Sequence, residues 1–214
     1  MIRETPIYRI LCAIHIVFFT SLLCFGTICL SGTILMVPAL GASFLIGKDT
    51  LYRKLDITDS IIKTYFKYLK ASMKLLKYSL LNILIALNIA GMIITASTGN
   101  FVYSCVCLAI VGFLLSFMLY IAGYHTFVSN QINMAEVFLS MFIKLHLLLP
   151  VFIVMVLCVL FFSGTLLTVM FLSGTIILFA LEVLIFIQMI HFKAKSGRLD
   201  KDDKFAYLVD YPSG

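Results

Sequence analysis

Charge and tryptophan are both scarce in this sequence. Its 214 residues contain no tryptophan, four prolines, and only 16 basic and 10 acidic side chains, which together make up 12% of the chain. Hydrophobic residues account for 62%, whereas soluble globular domains have about 45–50% apolar and about 25% charged residues. A soluble domain could not cover this much apolar surface, so the composition excludes one.

Patterns for metal, redox and nucleic-acid sites are also missing. The four histidines have no HxxxH or HExxH spacing, and the six cysteines lie in apolar runs without a CxxC pair. The net charge of +6 is clustered beside apolar runs and is not interleaved with aromatic residues as on a base-stacking surface. We therefore expect no cofactor, no metal, no nucleic-acid partner and no enzymatic activity.

Much of the positive charge is concentrated in one amphipathic segment, residues 59–78. Five lysines follow one another at spacings of 4, 3, 4 and 3, which places them on one stripe of an α-helix. We call this stripe the lysine row; it consists of Lys63, Lys67, Lys70, Lys74 and Lys77. The apolar arc is wide: it has one stripe beside the lysines (Ile62, Phe66, Leu69, Met73 and Leu76) and a second nearly opposite them (Ile61, Tyr65, Tyr68 and Leu75). The pattern predicts a helix at the membrane surface, with its apolar arc against acyl chains and its lysines at anionic headgroups. A docking surface for a cytoplasmic protein is the alternative.

Apolar runs predict an all-α integral membrane protein with five transmembrane helices: residues 10–37, 78–97, 101–124, 147–162 and 167–190. We expect two amphipathic interfacial helices on the cytoplasmic side. One carries the lysine row, and the other lies within residues 125–146. Residues 38–54 predict a further short helix at the inner interface. Residues 1–192 would form a single transmembrane domain and 193–214 a polar cytoplasmic tail.

The distribution of lysine and arginine tests this arrangement. With the N-terminus outside, 14 of the 16 basic residues lie on the cytoplasmic side, as the positive-inside rule favours. If residues 38–52 crossed steeply instead, the N-terminus would reverse and the chain would have six spans. The count of basic residues is compatible with five spans and with six.

Polar groups within the apolar runs are the candidate site residues. Glu182 is the one carboxylate well inside a predicted span, where an ionised group costs about 2.5–3.5 kcal/mol. Asn82 and Asn88, in the second predicted span, lie on either side of the depth expected for Glu182 in the membrane. Glu182 is interpreted either as a proton- or ligand-sensing carboxylate or as a neutral group hydrogen-bonded to an asparagine between helices. In the tail, Phe205, Tyr207 and Leu208 are candidates for binding a partner, unless the tail folds back.

Residues 36–78 resemble the YesL-like family of bacterial integral membrane proteins, a domain of unknown function. The resemblance rests on Pro38, the small run Gly41-Ala42-Ser43, the Tyr-to-Lys ending of residues 52–54, and residues 65–74, which match a FFRSFKQNFKQA-like motif before a span. A later NAFLLALRHLP-like stretch is echoed in residues 134–150. Ala71 and Ser72 replace the polar Gln-Asn pair of that motif.

The resemblance implies a function but no catalytic residue. Members of this family are associated with gene clusters for carbohydrate uptake, often beside ABC importers. It therefore implies an accessory subunit in the bacterial cytoplasmic membrane, which binds the permease or ATPase of such an importer. A small self-associating transporter or channel and a membrane partner of a sugar-responsive sensor kinase are the alternatives.

Overall fold

The protein is all-helical over the residues that its structure, a computed structural model, describes: 6–52, 54–55, 60–161, 166–199, 204–205 and 208. The helices are α1 (Pro6–Leu30), α2 (Met36–Leu51), α3 (Ile61–Ser72), a 3-10 segment (Met73–Leu80), α4 (Leu81–Ser97), α5 (Phe101–Phe127), α6 (Met134–Phe142), α7 (Leu145–Phe161) and α8 (Leu166–Lys195).

The length and composition of these helices make the protein a multi-pass membrane bundle. Among the described residues, four helical stretches are long and apolar enough to cross a bilayer: Ile10–Leu30, Ile61–Ser97, Phe101–Phe127 and Ile177–Lys195. A fifth is obtained if α6 and α7, which meet at a bend of 100°, are counted as one span. The predicted fold class is confirmed, with four or five candidate spans.

The first span is shorter than predicted. α1 ends at Leu30 because Gly32 and Thr33 adopt positive φ values of 57° and 71°, which a helix cannot contain. The chain reverses there and enters α2 at Met36. The run of apolar residues to position 37 conceals this turn, because its ends are as hydrophobic as the helices that it joins.

The second helix corrects the sequence prediction for residues 38–54. α2 is not a peripheral helix; it packs among α1, α3 and α5, and every residue from Val37 to Phe44 is buried. Small side chains allow this approach: a Cβ atom on Gly41 would lie 2.7 Å from Cδ1 of Leu75. With 16 residues, α2 is about 24 Å long, somewhat less than the hydrocarbon thickness of about 30 Å.

The helix that carries the lysine row continues directly into the second span, as predicted, as one helical stretch from Ile61 to Ser97. Part of its apolar arc packs against protein, whereas Ile62, Phe66, Met73 and Leu76 stay exposed. Ile61, Tyr65 and Leu75 are buried, and the hydroxyl of Tyr65 donates a hydrogen bond to Oγ1 of Thr27 at 3.1 Å. The lysine row is therefore held on the outside of the bundle by the packing behind it.

The remaining elements follow the predicted order. Gly99, with φ of 75°, makes the tight turn between α4 and α5. α6 is a separate short amphipathic helix that buries Val137, Ser140 and Met141 and exposes Phe138. The second interfacial segment is thus a distinct helix joined by a sharp bend to α7.

Candidate functional site

Glu182 is buried where α8 meets α2. Glu182 is only 6% exposed, and the hydroxyl of Ser43 donates a hydrogen bond to Oε1 of Glu182 at 2.5 Å. One turn along α2, Gly47 leaves space for the other oxygen, because a Cβ atom there would lie 2.5 Å from Oε2. Ser43 and Gly47 together form the position that holds the carboxylate.

A small cavity adjoins this carboxylate between α1, α2 and α8. It is lined by the hydroxyl-bearing residues Thr20, Ser21, Ser43 and Thr50 as well as by Glu182, and its volume of about 10 Å³ admits the centre of roughly one water molecule. Thr20 is 4% exposed, and its Oγ1 has no hydrogen-bond partner among the described residues. The carboxylate thus borders a small, partly open cavity whose lining is mixed, with Ile16, Ile46 and Phe179 beside the hydroxyl groups.

The structure does not bring the three predicted intramembrane polar residues together. The side-chain amide of Asn82 donates to the carbonyl oxygen of Thr33 at 2.6 Å, and that of Asn88 donates to the carbonyl oxygen of Leu84 at 2.8 Å. Neither asparagine lines the cavity beside Glu182. The predicted hydrogen bond from an asparagine to Glu182 is wrong, and the partner is Ser43.

Ser43 could have been found from a pattern in the sequence. Ala39, Ser43 and Gly47 are spaced by four, and small residues at this spacing let membrane helices approach closely. The segment was assigned to the interface because Lys48 and Asp49 follow it. The identity of the neighbouring helix, α8, could not be read from the spacing.

A second polar cluster, which the sequence did not indicate, joins α5 and α6 to the end of α8. The hydroxyl of Tyr120 donates to the side-chain oxygen of Gln188, and the Gln188 amide donates to the carbonyl oxygen of Met141 at 2.5 Å. Gln188 is fully buried. These bonds satisfy polar groups that would otherwise destabilise the core, so we interpret the cluster as structural.

An ion pair lies at the end of the same cluster. The guanidinium of Arg198 donates two hydrogen bonds to the carboxylate of Glu136, at 2.6 and 3.0 Å, and the hydroxyl of Tyr124 donates a third. Arg198, and then Tyr124, hold the pKa of the Glu136 carboxyl below its usual range. The chain after α8 is thereby attached to α6.

The lysine row is exposed along its whole length. Among the described residues no carboxylate forms an ion pair with any of its members; Nζ of Lys74 donates to the side-chain oxygen of Asn130 at 3.3 Å, and Nζ of Lys77 lies 4.9 Å from the ring centre of Tyr78. Large apolar side chains are exposed beside the row: Ile62, Phe66, Met73 and Leu76. The surface combines uncompensated positive charge with apolar area.

The described part of the tail folds back on the bundle. The ring of Phe205 lies 5.1 Å from that of Tyr52 and 5.0 Å from that of Phe186, measured between centroids, and Nζ of Lys204 donates to the carbonyl oxygen of Leu51. Leu208 also packs against the core, whereas Tyr207 lies outside the described residues. That the tail binds a partner stays a prediction.

Comparison with known proteins identifies no relative. No protein-family model matches the chain, and neither the curated proteins nor the solved structures contain a match. The resemblance to the YesL-like family therefore stays a prediction that rests on the residues given above.

Proposed function

We propose that this protein is a non-catalytic accessory subunit of the bacterial cytoplasmic membrane, and that it binds the permease or ATPase of a carbohydrate ABC importer through the lysine row. The observation that carries the proposal is that all five lysines are exposed and that no carboxylate within the described part of the chain pairs with them. The family resemblance implies the class of partner, and the charge and exposed apolar area of the row explain why a partner would bind there.

Five like charges on one helix face need a counter-charge. Neighbours in the row are three or four residues apart, and like charges at this spacing destabilise a helix by about 0.2–0.5 kcal/mol per pair. No carboxylate among the described residues pairs with the row, so a partner that brings negative charge to it would be favoured. An acidic protein surface supplies such charge and also fixes the orientation of the complex.

The apolar side chains beside the row suit a protein partner as well. Phe66 and Met73 are 53% and 39% exposed, and aromatic residues and methionine are enriched where protein interfaces are fully buried. Tyr65 and Leu75, on the opposite side of the helix, are completely buried, so the helix does not have to become ordered when it binds. A surface fixed in advance binds at a lower entropic cost.

The geometry favours this proposal over a transporter or channel. Asn82 and Asn88 bond elsewhere, and the cavity beside Glu182 admits about one water molecule. Among the described residues, Asn82 lines a different pocket from Glu182, so these groups do not share one cavity.

Purification from native membranes tests the proposal. We would isolate the tagged full chain and quantify co-purifying proteins by mass spectrometry, for the wild type and for Lys67→Gln/Lys70→Gln/Lys74→Gln. Importer subunits at a fixed ratio are expected with the wild type and are expected to be lost with the triple variant, because it removes three of the five charges.

Two control variants separate charge from other effects. Arginines at the same three positions keep the charge and should keep the partner. Lys144→Gln/Lys195→Gln removes positive charge away from the row and should also keep it. Recovery of a homo-oligomer alone or of a sensor kinase would refute the importer assignment. Capture that is unchanged in the glutamine variant would instead assign the row to anionic lipid.

A further inference from the structure

An open groove lies where the lysine row meets the second span. One wall is the turn that follows α1, and the other is the helix that runs from the end of the 3-10 segment into α4. The groove has a volume of about 400 Å³, which is within the range of about 300–1,000 Å³ that is usual for small-molecule sites. Residues that line it include Ile34 in the turn and Leu80, Asn82, Ile83 and Ala86 in the helix.

Hydrogen bonds hold the two walls of this groove together. The side-chain amide of Asn82 donates to the carbonyl oxygen of Thr33 at 2.6 Å and thus joins α4 to the turn. Within the turn, the backbone N–H of Leu35 donates to Oγ of Ser31 at 3.1 Å. A ligand would therefore enter a groove whose walls are already in place, which lowers the entropic cost of binding.

The apolar side chains of the groove suit a hydrocarbon chain. Ile34, Leu80 and Ile83 are all exposed. Leu80 and Ile83 belong to the helical stretch Ile61–Ser97, which is long and apolar enough to cross a bilayer. Water in the groove would leave these side chains hydrated, at a free-energy cost that grows with their apolar area, whereas an acyl chain would cover them.

Positive charge stands where the lysine row reaches the groove. In the 3-10 segment, Met73–Leu80, residues three apart lie directly above one another, because each turn contains three residues. Lys74, Lys77 and Leu80 therefore form one line, which leads from two exposed lysines to the lining of the groove. At a rise of about 2 Å per residue, Leu80 lies about 6 Å from Lys77 along the helix axis. A ligand on this line would have its negative charge beside the lysines and its apolar part beside Leu80.

Asn82 offers a polar contact inside the groove. Its amide nitrogen carries two hydrogens, and among the described residues it donates one of them, to Thr33. The other is a donor for an oxygen atom of a ligand. Phosphate contacts, an oxygen contact and an apolar groove thus follow one another along the helix, in the order in which a phospholipid carries its phosphate, its ester carbonyl groups and its acyl chains.

We propose that this groove binds one acyl chain of an anionic phospholipid, whose phosphate lies at Lys74 and Lys77 and whose ester carbonyl accepts a hydrogen bond from Asn82. A zwitterionic phospholipid has the same chains but no net charge, so the two lysines select the anionic one. The site stands whether or not the row binds an importer, because the rest of the row stays available to a protein.

The absence of tryptophan from the chain allows a direct test. Ile83→Trp places a reporter in the groove, and Ile93→Trp is the matched control, because the two isoleucines are 59% and 61% exposed and Ile93 lies outside the groove. Each purified full-length variant would be placed in phosphatidylcholine vesicles with increasing amounts of phosphatidylglycerol whose brominated chains quench tryptophan fluorescence. Quenching of Ile83→Trp should exceed the bulk fraction of brominated lipid, and quenching of Ile93→Trp should follow it. Equal curves would overturn the proposal.

Charge variants in the Ile83→Trp background locate the phosphate. Lys74→Gln/Lys77→Gln should lower the preference for phosphatidylglycerol over phosphatidylcholine by about fivefold for each lysine removed. Lys63→Gln/Lys67→Gln, at the other end of the row, is the control and should keep the preference. A preference that survives the first double variant would refute the phosphate contact, and equal losses in both would show a general attraction to the surface in place of this site.

A measurement without a reporter keeps the test decisive if the tryptophan of Ile83→Trp itself fills the groove. Native mass spectrometry of the delipidated full chain would count the phosphatidylglycerol molecules that rebind. Ala86→Phe, which puts a ring into the groove, should remove the tightest one, whereas Ala90→Phe, one turn further along α4 and outside the groove, should keep it. Retention by Ala86→Phe would refute the site. A failure to capture importer subunits from membranes would leave these results unchanged.

Discussion

Replacing Gly47 with alanine tests the contact between α2 and α8, on which the buried position of Glu182 depends. The new Cβ atom would lie 2.5 Å from Oε2 of Glu182, whereas ordinary contacts begin at 3.4 Å. The carboxylate is at the end of a flexible side chain, so it can avoid the methyl group by rotating. Rotation, however, would break its hydrogen bond with Ser43.

The cost is similar whichever way the contact is relieved. Loss of the Ser43 bond leaves buried polar groups unpaired, at about 1–3 kcal/mol. Separation of α2 from α8 to admit the methyl group is overpacking, which also costs about 1–3 kcal/mol. Alanine additionally gains about 0.5–1 kcal/mol over glycine within any helix, so the contact must be measured against a glycine that lacks it.

Gly26 provides that reference. It lies inside α1, and a Cβ atom there would meet nothing within 4 Å. Gly26→Ala should therefore show only the intrinsic gain, and Gly47→Ala should be less stable than Gly26→Ala by about 1–3 kcal/mol. Because the chain has no tryptophan, unfolding by SDS in mixed micelles would be followed by far-UV circular dichroism.

A double-mutant cycle identifies how the contact is relieved. If the carboxylate rotates, Ser43→Ala should cost less in the Gly47→Ala background than in the wild type, because the hydrogen bond is already lost. Equal stability of Gly47→Ala and Gly26→Ala would contradict the packing of α2 against Glu182.

Three further predictions concern other parts of the bundle. In a cysteine-free background, Ala42→Cys should resist a membrane-permeant thiol reagent and Lys70→Cys should react, since the first position is buried and the second exposed; equal labelling would contradict the central position of α2. Tyr120→Phe should lower the free energy of unfolding by about 1–3 kcal/mol, because the buried side-chain oxygen of Gln188 loses the hydroxyl that donates to it. Unchanged unfolding in SDS would refute this. The stability difference between the wild type and Glu136→Gln should be present at pH 7 and disappear as the pH falls through the lowered pKa of the Glu136 carboxyl. In an Arg198→Gln background, the stability difference that Glu136→Gln causes should depend less on pH.

The contrast between the lysine row and α2 shows how far sequence reasoning reached. The row was predicted correctly to lie on a helix that continues into a span, because spacings of 3 and 4 determine a stripe without reference to any other helix. The predicted α-helix, however, ends at Ser72, and Lys74 and Lys77 lie in the 3-10 segment that follows. The same reasoning assigned the apolar arc of that helix to lipid. In the structure one side of this arc, at Ile61, Tyr65 and Leu75, is buried against other helices, whereas Ile62, Phe66, Met73 and Leu76 are exposed. Acyl chains and a partner helix favour the same residues, and periodicity does not distinguish them.

The candidate site shows the same limit. Glu182 was recognised from its position within an apolar run, because a carboxylate there has few acceptable environments. Its partner was expected to be an asparagine at a similar depth but is Ser43, 139 positions away. The sequence does not single out Thr20 and Thr50, because hydroxyl residues are common in membrane helices. Their place beside Glu182 becomes visible only when the three helices are packed together.

By itself, the sequence determined that the chain is an all-α membrane bundle, where its spans begin to within several residues, and which face of one helix carries the charge. These properties depend on hydropathy and on helical periodicity, both of which act between near neighbours in the chain. The tertiary structure alone decided that α2 lies inside the bundle, that Glu182 meets Ser43, and that residues of α1, α2 and α8 line one small cavity. Contacts of this kind depend on which helix faces become neighbours, and that is settled by the fit of small and large side chains between distant segments.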